Sequence, residues 1–328
     1  MKILYIYRNP NMGFSIGKVF NLVENEMKKY AEVDSIYLPV SNYSLKGLWK
    51  NIKYAQCCCK KKKYDIVHIT GTEHYLIPFL NKQKIVVTVH DLGSITVKKS
   101  FKNFVKNILF IKTLKYAELI TCVSDKTRDE ILSVVNNSFE KIITISNPVD
   151  PTFQYTEHRF NDNTPIILHI GTKSNKNLEN TVKALVGMKC QLRIIGVLSS
   201  MQKDILLHSK IFYSNAVGLT DDELLEEYKK SDIINFPSYY EGFGMPIIEG
   251  QAIGRLVITS NIEPMLSVAG DGAIFCNPYD VNSIRNAYLK GINDSNYRDK
   301  IILKGKENIK KHLLKNITEK YYNLYMTL

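Results

Sequence analysis

Residues 236–250 read Phe-Pro-Ser-Tyr-Tyr-Glu-Gly-Phe-Gly-Met-Pro-Ile-Ile-Glu-Gly, and this stretch decides which fold the sequence predicts. The apolar run that leads into it, Ile233-Ile234-Asn235-Phe236, is typical of a buried strand. Pro246 has the backbone conformation that suits the first position of a helix, so we expect a helix to follow. The sequence therefore predicts a strand, a turn that contains Gly242 and Gly244, and a helix N-terminus.

Two carboxylates, Glu241 and Glu249, lie eight positions apart around this turn. A helix N-terminus offers unpaired N–H groups that suit a phosphate, and glycines let a ligand approach the backbone closely. Carboxylates repel phosphate but accept hydrogen bonds from vicinal hydroxyls, and a nucleotide sugar carries both groups. A purely structural role stays open, because Glu249 could complement the helix dipole and Glu-Gly is an ordinary turn dipeptide.

The stretch resembles the E-x7-E signature, in its Glu-Gly-Phe-Gly form, of family 4 of the retaining glycosyltransferases. The resemblance continues through Gly254-Arg255-Leu256-Val257-Ile258-Thr259-Ser260, is dense over residues 166–280 and is patchy over residues 1–150. It implies an α/β protein of the GT-B fold, in which two Rossmann-like, doubly wound domains face a central cleft.

The resemblance also implies roles for individual residues of the stretch. Glu249 would hold the ribose of a nucleotide-sugar donor, and Glu241 would hold the sugar that is transferred. The donor-binding residues expected from this part of the chain are Gly242, Phe243, Gly244, Met245 and Glu249.

A second candidate stretch runs from His169 to Leu178 and reads as a strand, a turn and a helix that starts near Asn175. Lys176 at such a helix start can neutralise the charge that builds up on a departing diphosphate. The family has a lysine followed by Asn or Gly at this place, and it often has an Arg directly after the strand-ending glycine. Thr172 stands there instead, so we expect Lys173 to substitute. The donor-binding residues expected here are Gly171, Thr172, Lys173 and Lys176.

In the first half of the chain, His90-Asp91 ends the apolar run of residues 85–89. The carboxyl ends of parallel strands are where α/β sheets bind ligands, and the run resembles the family's H-D motif, whose His lies beside the donor sugar. The resemblance makes His90, Glu241 and Lys176 the catalytic candidates. Arg8, Asn9 and Gly13, which follow the first apolar run, are the acceptor-binding candidates, although the family often has paired glycines there.

The length of 328 residues and the alternation of apolar runs with helical patterns predict two parallel α/β domains. The expected strands are 3–7, 35–38, 66–69, 85–89, 119–123 and 141–146 in the first half, and 166–170, 192–195, 211–213, 233–236, 256–259 and 273–276 in the second. We expect an acceptor-binding domain over 1–150 and a donor-binding domain over 151–310. One helical pattern covers 296–326, and residues 311–328 are expected to pack back on the first domain.

The chain has a net charge of +12, and residues 1–150 hold a net +10 of it. Lysines cluster at 60–63 and again at 98, 99, 102, 106, 112 and 115, where apolar residues alternate with them at helical spacing. Such a stripe could lie on an anionic membrane surface. The alternative is that its apolar face belongs to the core and the lysines form a solvated edge.

Several classes of protein are disfavoured by the composition. No apolar run reaches the length of about 18 residues that spans a bilayer. The six cysteines have no metal-site spacing and include three in a row, which favours a reducing cytoplasm over a secreted disulfide framework. No Asp-x-Asp occurs, so we expect neither a metal nor a cofactor.

The sequence thus predicts a retaining, metal-independent glycosyltransferase that moves a sugar from a nucleoside-diphosphate donor to a glycan or lipid-linked acceptor, in polysaccharide or glycolipid synthesis. A nucleotide-sugar epimerase with the same fold remains an alternative, because it would bind the donor in the same way. A nucleic-acid-binding protein is suggested by the charge alone and lacks any recognisable motif, so no nucleic-acid partner is expected.

Overall fold

The computed structural model describes residues 1–12, 15–80, 83–92, 107–134 and 141–328, and it divides into two compact units. The first unit comprises Met1–Pro148 together with Leu314–Leu328, and the second comprises Val149–Leu313. Each unit is built on a parallel sheet of six strands. Two α/β units of this kind are the architecture expected of a GT-B protein.

The sheet of the first unit has the strand order β2-β1-β3-β4-β5-β6. Its strands are β1 (Lys2–Tyr7), β2 (Glu32–Tyr37), β3 (Ile66–Ile69), β4 (Ile85–Val89), β5 (Leu119–Cys122) and β6 (Ile142–Thr144). The helices in the described part of this unit are α1 (Ser15–Met27), α2 (Leu45–Lys61), α3 (Asp125–Val134) and, from the end of the chain, α11 (Leu314–Met326). Strands β1, β3, β4 and β5 are almost wholly buried, which explains their near-continuous apolar sequences.

Buried hydrogen bonds attach α11 to this sheet. The Tyr325 hydroxyl lies 2.5 Å from Nδ1 of His68 on β3 and 3.2 Å from the hydroxyl of Tyr5 on β1. Nε2 of His68 contacts Thr88 on β4 at 2.8 Å. Burial lowers the pKa of His68 to about 3, so the ring is neutral and can both donate and accept. The last helix is therefore an integral part of the first unit.

The sheet of the second unit has the order β12-β11-β10-β7-β8-β9. Its strands are β7 (Ile166–Ile170), β8 (Gln191–Ile195), β9 (Phe212–Ala216), β10 (Ile233–Phe236), β11 (Leu256–Ser260) and β12 (Ile274–Cys276). Its helices are α4 (Leu178–Leu185), α5 (Ser200–Ser209), α6 (Asp221–Lys230), α7 (Met245–Ile253), α8 (Met265–Ala269), α9 (Val281–Asn293) and α10 (Ser295–Asn308). A core of apolar residues from β7, β8, β10, β11 and the helices α4 and α9 holds the layers together.

Every run predicted as a strand overlaps one, and three expectations about helices are wrong. The helix expected near Asn175 begins at Leu178, because Asn177 before it has a left-handed backbone (φ 62°). The single helix expected over 296–326 is interrupted: α10 ends at Asn308, a 3₁₀ turn follows, and Leu313 is extended before α11. Pro246 is the second residue of α7, after Met245.

The strand orders fix where ligands can bind. In each sheet the chain first builds outward in one direction and then in the other, and the reversal lies between β1 and β3 in the first unit and between β7 and β10 in the second. At such a switch point the loops leave in opposite directions and open a crevice at the carboxyl ends of the strands. The loops after β1, β3, β7 and β10 are therefore the places to look for functional side chains.

Candidate active site

The switch point of the second unit brings together two of the predicted catalytic residues. Lys176 lies in the 3₁₀ turn Ser174–Lys176 after β7, and Glu241 lies in the turn after β10. Nζ of Lys176 donates a hydrogen bond to Oε1 of Glu241 at 2.6 Å. The two side chains keep 20% and 14% of their surface exposed, so the ion pair is partly desolvated and can still be reached by a ligand.

Neighbouring groups hold this ion pair in place. Asn175 donates through Nδ2 to the carbonyl of Tyr240 at 2.9 Å and to Oε1 of Glu241 at 3.2 Å. The ammonium of Lys176 lies 4.6 Å from the ring centroid of Phe236, an attractive cation–π arrangement. A side chain at Gly171 would come within 3.1 Å of the Lys176 stem, so the glycine makes room for the lysine.

A buried histidine lies on the strand that leads to Lys176. His169 is 1% exposed, and its Nδ1 lies 2.9 Å from Nδ2 of Asn235 on β10. Burial, with a contribution from the positive charge of Lys176, lowers the pKa of His169 to about 3. His169 is therefore neutral at physiological pH, and it accepts the hydrogen bond from the Asn235 amide, which has no lone pair to offer.

The N-terminus of α7 follows the Glu241 turn directly. Gly244 caps the helix with φ 113°, a conformation that residues with a side chain rarely adopt. Phe243 is buried, with its ring edge-on to His312 at 5.8 Å. Gly242 and Met245 are half-buried. The positive end of the α7 dipole thus lies next to the Lys176–Glu241 pair, although Pro246 has no N–H and the N–H of Ile247 donates to the carbonyl of Gly244.

Glu249 lies on α7 and is fixed by a residue that the sequence did not single out. The hydroxyl of Tyr228, from α6, donates a short hydrogen bond to Oε2 of Glu249. Tyr228 is wholly buried and packs edge-on against Phe153 at 5.1 Å. Burial, reinforced by the negative charge of Glu249, raises the pKa of Tyr228 well above its ordinary value. The phenol therefore stays protonated and acts only as a donor toward the carboxylate.

Thr172 and Lys173 lie in the same loop with different environments. The Thr172 hydroxyl donates to the carbonyl of Val197 at 2.6 Å, and the Thr172 carbonyl accepts a hydrogen bond from Gln202 at 2.8 Å. These bonds tie the loop after β7 to the segment that follows β8. Lys173 is exposed and precedes the 3₁₀ turn that carries Lys176.

His90 lies in the first unit, directly after β4. It is 8% exposed, its ring packs edge-on against Phe20 at 5.8 Å, and its Nε2 lies 2.9 Å from the carbonyl of Thr70. A carbonyl only accepts, so Nε2 carries the proton. Burial lowers the pKa of His90 to about 4, and the charge of Arg8 contributes in the same direction. His90 is thus a neutral imidazole at the carboxyl edge of the sheet.

The acceptor-binding candidates lie after β1. Arg8 is half-buried, and Asn9 donates to the carbonyl of Leu38 at 2.9 Å while its own carbonyl oxygen accepts from the N–H of Asn11. The Asn9 side chain therefore braces the loop. Gly13 lies outside the described residues.

Sequence reasoning missed Tyr228, Asn175 and the buried Glu73 after β3. Tyr228 sits in an ordinary amphipathic helix pattern, and only the packing of α6 on α7 brings it to Glu249. Asn175 and Glu73 each follow a predicted parallel strand, so the carboxyl-end rule applied to every strand would have drawn attention to both.

Comparison with known families decides the identity. The family model described as "Glycosyl transferases group 1" matches residues 152–308, and the model "Glycosyltransferase Family 4" matches residues 21–153. The chain belongs to family 4 of the GT-B glycosyltransferases.

Curated relatives of this glycosyltransferase include two named mannosyltransferases. The O-antigen chain mannosyltransferase B of Escherichia coli is 26% identical over 273 residues, which are 75% of this chain and 71% of that protein. The O-antigen chain mannosyltransferase RfbU of Salmonella typhimurium is 29% identical over 236 residues, 69% of this chain and 65% of that protein.

Solved structures resemble this glycosyltransferase over its whole length. A sucrose-phosphate synthase from Thermosynechococcus elongatus superposes with a TM-score of 0.83 at 17% identity, covering 100% of this chain and 98% of the other. The Anabaena protein HepE, solved in complex with UDP-glucose, superposes with a TM-score of 0.78 at 12% identity over 100% of both chains. At such low identity the likeness shows the shared GT-B fold.

None of the helices among the described residues combines the length and hydropathy of a membrane-crossing segment. Nowhere among those residues do three or more His, Cys, Asp or Glu side chains group as they would around a metal ion.

Proposed function

We propose that this glycosyltransferase transfers a sugar, with retention at the anomeric carbon, from a nucleoside-diphosphate sugar to a hydroxyl of a glycan or lipid-linked acceptor. The observation that carries the proposal is the 2.6 Å contact between Lys176 and Glu241 beside the N-terminus of α7. A cation and the positive end of the helix dipole suit the diphosphate, and a carboxylate suits the sugar hydroxyls. Both halves of the donor thus find a partner at one switch point.

The proposed reaction proceeds without a covalent enzyme intermediate. The bond between the anomeric carbon and the β-phosphate oxygen breaks, and its electron pair stays on that oxygen. Lys176 stabilises the growing negative charge on the diphosphate. The acceptor oxygen forms a new bond on the same face of the sugar, and its proton passes to the departing phosphate. Neutral His90 contacts the substrate by hydrogen bonding.

The other residues of the site bind the donor in this proposal. Glu249, held by Tyr228, accepts hydrogen bonds from the ribose. The loop after β7 (Gly171, Thr172 and Lys173) and the turn before α7 (Gly242, Phe243, Gly244 and Met245) surround the phosphates and the transferred sugar. Lysine and the positive end of the α7 dipole supply the positive charge, so the proposed transfer needs no metal.

The curated relatives named as O-antigen mannosyltransferases support a mannosyl donor and a role in surface polysaccharide synthesis. A thermal-shift panel with UDP-glucose, GDP-mannose and ADP-glucose tests the donor, since a ligand that binds only the folded state raises the melting temperature. We expect one donor to give the largest shift, and Lys176→Met to reduce that shift. Product analysis by NMR then reads the anomeric configuration. An inverted product, or conversion of the donor to an epimer without transfer, would overturn the proposal.

An anionic membrane surface is the proposed location of the acceptor, and helix α2 supports it. The lysine stripe at 98–115 lies largely outside the described residues, but α2 carries five lysines and no carboxylate. Its outer face also exposes large apolar side chains: Leu45 by 88%, Trp49 by 55% and Tyr54 by 40%. Lysines that attract acidic headgroups and apolar side chains that enter the interface are what a peripheral membrane helix needs. Six free thiols agree with the cytoplasmic side of a membrane.

Trp49 is the only tryptophan of the sequence, so its fluorescence reports on α2 alone. We expect its emission to shift to the blue with phosphatidylglycerol vesicles and to stay unchanged with phosphatidylcholine vesicles. Replacing Lys50 and Lys53 by Gln should weaken binding by about 30-fold, at about 1 kcal/mol for each lysine. The matched control replaces Lys203 and Lys210, exposed on the second unit. An unshifted emission with anionic vesicles would favour a soluble acceptor.

A further inference from the structure

The switch point of the first unit has the same kinds of residue as that of the second. The crevice between β1 and β3 is bordered by Arg8, directly after β1, and by Glu73, in the loop after β3. The second unit places Lys176 and Glu241 at the equivalent loops. A cation from one loop and a carboxylate from the other thus recur, although the two units share no motif at these positions.

Glu73 differs from an ordinary loop glutamate because it is buried. It is 1% exposed, and its Oε2 has no hydrogen-bond partner among the described residues. Its Oε1 accepts from the hydroxyl of half-buried Thr72 at 3.2 Å, and that hydroxyl lies 3.4 Å from the hydroxyl of Tyr43, which is 46% exposed. A hydrogen-bonded path therefore leads from the surface to the carboxyl group.

The backbone also makes room for this carboxyl group. A side chain at Gly71 would come within 3.1 Å of Oε2 of Glu73. A buried carboxyl oxygen without a donor costs free energy that a bound ligand can recover. Burial raises the pKa of Glu73 to about 7, and the charge of Arg8 opposes that rise. The carboxyl group therefore sits close to the balance between its two protonation states near neutral pH.

We propose that Glu73 is an acceptor-binding residue whose carboxyl group hydrogen-bonds a hydroxyl of the sugar acceptor at the switch point of the first unit. The inference rests on the proposed sugar transfer and adds a residue and a chemical class to it. A hydroxyl fits better than an amine or a second cation, because it can donate to Oε2 when the carboxyl is ionised and accept from it when it is protonated. The positive charge of Arg8 close by disfavours a cationic ligand.

The choice of an acceptor over the donor follows from the composition of the two switch points. The second unit already holds groups for every part of a nucleotide sugar: Lys176 and the α7 N-terminus for phosphate, Glu241 for the sugar and Glu249 for the ribose. In the first unit the crevice offers one buried carboxyl group, two hydroxyls and Arg8. Such a set of hydrogen-bonding groups suits a neutral polyol.

Two graded variants test the proposal. Glu73→Gln keeps an oxygen that accepts and has nearly the same shape, whereas Glu73→Met keeps the length and removes hydrogen bonding. The acceptor probes are methyl and octyl α-mannoside and α-glucoside, and transfer to them is measured beside hydrolysis of the donor without acceptor. Glu118→Gln, an exposed carboxylate of the same unit that pairs with Lys141, is the matched control.

We expect Glu73→Met to raise the KM for the acceptor by at least about tenfold, the scale of one lost hydrogen bond to a charged group, and Glu73→Gln to raise it less. The KM for the donor and the rate of donor hydrolysis should stay within about twofold of the parent in both variants and in Glu118→Gln. An unchanged acceptor KM in Glu73→Met would overturn the role of Glu73 and leave sugar transfer intact. A parent enzyme that hydrolyses donor but transfers to no probe would overturn the proposed function itself. In that case the thermal shift that the glycosides give to the parent decides the inference. If Glu73→Met shows the same shift as the parent, the role of Glu73 is overturned too.

Discussion

The two switch points of this glycosyltransferase place a cation and a carboxylate in equivalent loops, but the hydrogen bonds to the carboxylate differ. In the second unit, Nζ of Lys176 and Oε1 of Glu241 are 2.6 Å apart, and Asn175 adds a further hydrogen bond to the same oxygen. In the first unit, Oε2 of Glu73 has no hydrogen-bond partner among the described residues, although the charge of Arg8 acts on its pKa.

On the proposed function, the difference lets one architecture bind two kinds of substrate. A preformed ion pair fixes the position of a lysine before a highly charged ligand arrives, so little reorganisation is needed when the charge moves. A buried carboxyl group that has an oxygen without a donor is poorly solvated when no ligand is bound, and a neutral hydroxyl of a ligand gives it a hydrogen-bond partner. On the proposed function, the second unit is therefore prepared for a diphosphate and the first for an uncharged group.

The largest effect is expected from removing the cation of the second switch point. Lys176→Met should lower kcat for transfer by about 100-fold or more, the range seen when one group that stabilises transition-state charge is lost. Initial rates at saturating donor measure it. Lys183→Met, an exposed lysine on α4 of the same unit, is the matched control and should stay within about twofold. Equal rates for the two variants would remove Lys176 from the reaction.

The next effect is a pH dependence of stability that comes from Glu73. The pKa of Glu73 is about 7 when folded, above its ordinary value of 4.5, so the folded chain binds more protons than the unfolded chain between these values. The free energy of unfolding therefore falls as the pH rises through this window, by up to about 3 kcal/mol, and is then constant. The variant Glu73→Gln has no carboxyl group to ionise at this position, so its free energy of unfolding does not fall in this way. Its stability relative to the parent should increase from pH 4.5 to 7.

Urea unfolding followed by Trp49 fluorescence measures this, because the only tryptophan lies in the first unit with Glu73. The buried histidines His68 and His90 titrate in both proteins, so their contribution cancels in the difference. Parallel pH profiles for the parent and Glu73→Gln would contradict the raised pKa.

The sequence predicted the strands well for a physical reason. Central parallel strands are covered on both faces, so they appear as short apolar runs such as 66–69 and 233–236. Helix ends were predicted less well because distant contacts decide them. The helical pattern continues past Asn308, but the carbonyl of His312 accepts from the N–H of Val149, far away in sequence, and the chain is extended at Leu313.

The candidate site divides in the same way. Lys176, Glu241 and Glu249 lie in motifs that can be recognised from the order of their residues alone. Tyr228 and Glu73 have no such local pattern. The significance of Tyr228 depends on its burial and on Glu249, which another helix places within hydrogen-bond distance. The significance of Glu73 depends on its burial and on Oε2, for which no other described element supplies a donor. Sequence reasoning identified the groups that the proposed function places against a charged ligand, and it missed those that act through the interior.

A smaller effect is expected from Tyr228, the residue that holds Glu249. Tyr228→Phe keeps the ring packed on Phe153 and removes the hydrogen bond to Glu249. A lost hydrogen bond to a charged group is worth about 1.5–3 kcal/mol, and the exposed side of Glu249 lets water replace part of it. We expect donor affinity to fall by about tenfold with kcat within about threefold, as measured by initial rates over a donor series. A fall in kcat alone would show that the tyrosine does not act through donor binding.

The smallest effect concerns Thr172, which stands where the family often has an arginine. Its hydroxyl already donates to the carbonyl of Val197, so the side chain has no proton left for a phosphate, and the backbone of this loop and exposed Lys173 remain to bind one. Thr172→Val should therefore cost about 1 kcal/mol of stability through the lost hydrogen bond, and change the dissociation constant of the donor by less than about twofold. Titration calorimetry with the donor, beside thermal unfolding, measures both. Weaker binding of the donor, with unchanged stability of the protein, would mean that the hydroxyl turns toward the phosphates when they bind. The second switch point would then be less preorganised than its ion pair suggests.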